Sequence, residues 1–138
     1  MKIRNPIRRD GVEVIEVALT LPLVVLITFM TIDVCAYIQL KQKAILVAYE
    51  AARTASQRDQ DFESAENLAA DLAEARNLTN VVISVEPVEN PDRARSELRP
   101  GERIQSLVTI PANGNVTGPF FLFRNKFVNS DAIVIAVR

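Results

Sequence analysis

The stretch whose reading decides the fold is Gly11–Leu40, GVEVIEVALTLPLVVLITFMTIDVCAYIQL. From Val17 to Ile32, sixteen consecutive residues carry no charge, and Asp33 separates them from the apolar continuation VCAYIQL. Crossing a hydrocarbon layer of about 30 Å takes roughly 20 apolar residues in a helix. Sixteen fall short, so a spanning helix must recruit Val12–Glu16 or Asp33–Leu40, and either choice brings a carboxylate to the boundary. Upstream, MKIRNPIRR sets Lys2, Arg4, Arg8 and Arg9 before the run, whereas only Lys41 and Lys43 follow closely behind it. By the positive-inside bias, this asymmetry holds the amino end in the cytoplasm and sends the carboxyl end outward. Asp33 stands 17 residues after Glu16, roughly 25 Å along a helix at about 1.5 Å per residue, and so reaches the outer interface.

Away from this segment the composition removes whole classes of function. The 138 residues leave room for one domain of ordinary size with an appended segment. Sixteen Lys and Arg against seventeen Asp and Glu give a formal charge of −1, which provides no field for a polyanion and excludes general nucleic-acid binding. There is no histidine and one cysteine, Cys35, so histidine acid–base chemistry, a Cys/His zinc cluster and an internal disulfide cannot be built. No metal or cofactor is expected, and no enzymatic activity. Cys35 reads as a small buried hydrophobe.

Within the apolar run two residues stand out. Glu16, between Ile15 and Val17, costs a few kcal/mol among lipid tails unless it is paired or snorkels to the headgroups. Pro22 has no N–H and opposes the carbonyl of Ala18, so it marks a kink or soft point, either for bending out of the bilayer or as an ordinary lipid-facing kink.

Beyond Leu40 the helical pattern continues. Leu40, Ala44, Val47, Ala48, Ala51 and Ala55 recur at spacings of three and four with no Gly or Pro. One helix from Val12 to Arg58 therefore runs 47 residues, or roughly 70 Å, longer than a small globule needs for its own core. A second helix is expected over 63–78, with Ala65, Leu68, Ala69, Leu72 and Ala73 inward and Glu66, Asp71 and Glu74 outward. Strands follow at Val81–Val88 and Glu102–Ile110, which alternate apolar and polar residues, joined by a charged connector that projects into solvent. Ala132–Val137, AIVIAV, reads as a central strand covered on both faces. Ahead of it GPFFLFRNKF gathers Phe120, Phe121, Phe123 and Phe127, either the plug of the small core, the preferred reading, or an exposed adhesive or subunit-contact patch. The sequons at Asn77 and Asn115 receive no function. The fold class is α+β: a long amino-terminal helix, partly transmembrane, on a small antiparallel sheet of three or four strands with a second short helix.

Gly11, four intervening residues and then Glu16 at the head of an apolar stretch resemble the class III leader of type IV pilins, which is cut directly after the glycine. The wider pattern of Arg8, Arg9, Gly11, Glu16, Ala18, Leu19, Leu21 and Pro22 is similar to the TadE-like pseudopilins of tight-adherence (Flp) pilus systems. Ala48–Arg53 is similar to the small-residue, Arg-containing continuation of that family's helix. Val17 departs from the aromatic residue typical of major Flp pilins, which argues for a minor subunit.

The resemblance implies a division into a basic cytoplasmic leader (1–11), a transmembrane half-helix (12–40), its exported continuation (41–58) and a small head (59–138). It implies cleavage between Gly11 and Val12 by a prepilin peptidase, and pairing of the new Val12 amine with Glu16 of a neighbouring pilin subunit. The other implied partners are an inner-membrane assembly platform and the lipid bilayer itself. Two rivals remain open. One is a single-pass anchor that keeps its leader and displays the head as a binding module; the other is a soluble exported protein, cut by signal peptidase after Ala36 at Val34–Cys35–Ala36.

Overall fold

The computed structural model describes residues 10–57, 61–91, 97–118 and 122–136. Helix α1, Asp10–Ser56, runs 47 residues through Pro22 without interruption. Its two halves meet different surroundings. Gly11 to Ile32 is exposed along its whole length, whereas Leu40, Ala44, Val47, Ala48, Ala51 and Ala55 are buried, the stripe expected from their spacing. The helix therefore leaves the head as a bare apolar rod.

Helix α2, Phe62–Ala75, begins at Asp61, whose side chain accepts the Ser64 N–H at 2.7 Å. The Ser64 side chain and that same backbone N–H hold the Asp61 carboxyl below its ordinary range. The helix ends at Asn77, in the left-handed region at φ 57°, with the Leu78 N–H returning to the Ala73 carbonyl. Its buried face is Ala65, Ala69 and Ala73, with Leu72 half-buried. Two expectations are corrected. Leu68 is 54 % exposed, since the fully buried stripe of α2 is Ala65, Ala69 and Ala73. Glu66 turns inward, where its Oε1 accepts the Val85 N–H at 2.8 Å and occupies a donor on an open strand edge.

The sheet is an antiparallel meander in the order β1 (Val82–Pro87), β2 (Arg103–Pro111), β3 (Phe127–Ile135). Ile83, Val85, Ile104, Ser106, Val108, Ile110, Val128 and Ser130 form the face packed on α1 and α2. Small residues meet there: buried Ser106 pairs with Ala132 across β2 and β3, and the alanines of α1 lie against this sheet. Among the described residues the opposite face is uncovered, which corrects the reading of the last strand. β3 is an edge strand beside β2, starting at Phe127, and its outward residues Ile133 and Ile135 are 52 % and 59 % exposed.

The two described members of the phenylalanine cluster divide: Phe123 packs against the core from its edge, and Phe127 does not. Phe127 is 65 % exposed, and Phe123, half-buried, stacks on Tyr37 of α1 with ring centroids 4.4 Å apart. Phe120 and Phe121 lie outside the described residues. Cys35 is exposed, because Asp33, Tyr37 and Leu40 take the inward side of α1 and Cys35 falls on the other.

Candidate membrane and assembly site

The bare part of α1 has the dimensions of a bilayer. Val12–Ile32 is 21 residues, which rise roughly 32 Å at about 1.5 Å each, against a hydrocarbon core of about 30 Å. Among the described residues this is the one helix long and apolar enough to cross a membrane. Its polar side chains are satisfied locally. The Thr28 and Thr31 hydroxyls donate to the Val24 and Ile27 carbonyls at 2.8 and 2.9 Å, and Thr20 donates to Val17 at 3.3 Å. Such back-bonding lets hydroxyls sit in lipid without an unpaired donor.

At the start of this rod lie the sequence-derived site residues. Gly11 lies at the start of the described helix, one residue after Asp10. A Cβ at Gly11 would meet nothing within 4 Å. Val12 is 64 % exposed, and Glu16 and Pro22 also face outward. The Glu16 carboxylate meets no hydrogen-bond or ion-pair partner among the described residues of its own chain. Lys2, Arg4, Arg8 and Arg9 lie outside the described residues.

At the other end stands a residue whose partners the sequence did not reveal. Asp33, one position past Ile32, is 1 % exposed, covered by the β2–β3 loop. Its Oδ2 accepts the Leu122 N–H at 3.2 Å, 89 positions away in the chain. Gly118 lies against the same carboxylate so closely that a Cβ there would overlap it. Beside them Ala112, Val116, Thr117 and Phe123 help to line a cavity of about 310 Å³. Contact between head and helix therefore begins where the apolar rod ends. The charge at the end of the span was the available signal; which loop it meets is written in no local pattern.

The same loop is braced from behind by Asn115. Its Oδ1 accepts the Thr79 N–H at 2.8 Å, and its Nδ2 donates to the Thr79 and Pro111 carbonyls at 2.9 and 2.8 Å. The sequon asparagine is thus a staple between the α2–β1 turn and the β2–β3 loop.

A membrane-length helix that continues unbroken into a helix-and-sheet head defines the class: an α+β protein with a long apolar amino-terminal helix on a small antiparallel sheet. Residues 11–53 match the family model described as TadE-like protein, the family that Gly11, Glu16 and Pro22 resemble. The match spans α1 from Gly11 to Arg53 and leaves the head outside it. Over those 43 of the 138 residues the chain is similar to that family. No curated protein and no solved structure matches the chain.

Proposed function

We propose that this protein is a minor pilin or pseudopilin of a Tad/Flp-type apparatus, a structural subunit and not a catalyst. A prepilin peptidase hydrolyses the Gly11–Val12 bond. Val12–Ile32 then holds the subunit in the inner membrane, with its amino end cytoplasmic and its head exported, until the assembly platform recruits it. Removal of residues 1–11 takes four cations and one anion, so the formal charge of the chain moves from −1 to −4. It also leaves a new α-amine at Val12.

The observation that carries this reading is Glu16, an unpaired carboxylate on the lipid-facing start of α1, five positions after Gly11. In lipid that carboxylate is costly until a cation neutralises it. The Val12 amine of a neighbouring subunit is such a cation at the same depth, so pairing sets the stagger between adjacent helices.

Sequencing the amino terminus of the protein recovered from cells tests the reading. Val12 supports it, Met1 indicates the leader-bearing anchor, and Tyr37 indicates the secreted form. Glu16→Ala is expected to leave membrane insertion intact and abolish co-purification with other pilus subunits; unchanged co-purification removes the pairing argument. Against the secreted form stands α1 itself, which is helical across Val34–Ala36 and buries both Asp33 and Leu40. A cut after Ala36 would strip Asp33 from the loop it holds.

A further inference from the structure

The β2–β3 end of the head is fixed at the level where the apolar rod stops. Asp33 follows Ile32 directly, and its carboxylate binds the Leu122 N–H at 3.2 Å, so the Leu122 backbone lies at the depth of that junction. The stack of Phe123 on Tyr37, one turn further along α1, prevents the loop from lifting away. Phe127 closes the sheet at this same end, where it pairs with Pro111 while the Lys126 carbonyl accepts the Ala112 N–H at 2.8 Å.

What sets this end of the head apart is exposed apolar side chains beside cations with no carboxylate between them in sequence. Leu122 is 47 % and Phe127 65 % exposed, with Arg124 and Lys126 exposed between them. From Arg103 to Ser130 the chain contains no acidic residue, whereas Glu86, Glu89, Glu97 and Glu102 cluster toward the opposite end of the sheet. Apolar and aromatic side chains interleaved with cations are the composition of a surface that seats at a lipid interface. The rings and aliphatic groups enter the acyl boundary, and the cations meet anionic headgroups.

We propose that residues 122–127 form a second membrane contact, with Leu122 and Phe127 seated in the outer leaflet and Lys126 on its anionic phosphates. The head then rests on the bilayer at a fixed angle instead of standing off on its helix. The inference rests on the reading of Val12–Ile32 as a membrane span. Asp33 makes the contact possible, because its carboxylate is turned into the loop's own backbone and no bare charge meets the lipid.

The test uses the full chain with Cys35→Ser, reconstituted in vesicles of phosphatidylethanolamine and phosphatidylglycerol. Single cysteines replace Leu122, Ile27 or Glu97 and carry an environment-sensitive fluorophore. Substitution at Leu122 keeps the backbone N–H that Asp33 accepts. The label at 122 is expected to emit to the blue of the label at 97, to be quenched by a nitroxide carried on the lipid headgroup, and to be severalfold less sensitive to aqueous iodide. The label at 27 should report the lipid interior. If 122 behaves like 97 while 27 is in lipid, the loop contact is wrong and the span stands. If 27 itself behaves like 97, the span is wrong and the loop contact falls with it.

Discussion

Gly118 and Asp33 form a lock of two residues, one chosen for what it lacks. Any side chain at 118 would occupy the space of the Asp33 carboxylate, which is buried and holds the Leu122 N–H. Gly118→Ala is therefore expected to destabilise the head by about 1–3 kcal/mol, as overpacked sites do. Asp33→Ala alone deletes the acceptor of the part-buried Leu122 N–H and empties the space of a buried side chain, and costs about 1–3 kcal/mol by a different route. Because the second change removes the atoms that the first one strikes, the double variant should be less destabilised than the two single effects added together. Thermal loss of protease resistance in detergent measures all three; strict additivity would mean that the two residues do not press on each other.

Among the elements, α1 was the most legible. Its apolar face repeats at helical spacing over many turns, and no Gly or Pro interrupts it after Pro22, so the buried stripe from Leu40 to Ala55 could be named in advance. The strands were less so. β3 begins at Phe127, five residues before the apolar run that suggested it, because Asn129, Ser130 and Asp131 read locally as turn formers and only pairing with Leu107–Thr109 makes them strand. Leu68 and Glu66 were misjudged for a related reason. Side-chain polarity gives the width of a helix's apolar face but not which strand edge waits beside it. The alanine stripe has its own consequence: Ala48 is fully buried over the sheet, so Ala48→Leu is expected to cost about 1–3 kcal/mol. Ile45→Leu, on the 47 % exposed side of the same helix, should stay within about 0.5 kcal/mol. Equal losses at the two positions, read from thermal midpoints, would place the head on a different face of α1.

At the scale of the whole molecule, the proposed topology makes orientation depend on charge outside the span. Replacing Lys2, Arg4, Arg8 and Arg9 with Gln removes the cationic excess ahead of the apolar run and leaves Lys41 and Lys43 beyond it. The expected result is a fall in the fraction of heads digested by protease added to spheroplasts; undiminished digestion would show that something other than these charges orients the chain. The sequence revealed the length of the rod and the acid at each end of its apolar part, Glu16 and Asp33. It could not reveal that the second acid is covered by a loop 89 positions away, since that contact exists only once the sheet has formed. The unbroken course of α1 from Asp10 to Ser56 has a mechanical corollary. There is no slack linker between the bare end and the end packed in the head, so, with Val12–Ile32 in the bilayer as proposed, a pull or push applied at the membrane reaches the head in full. Lifting the subunit by one helical turn raises everything it displays by the same step.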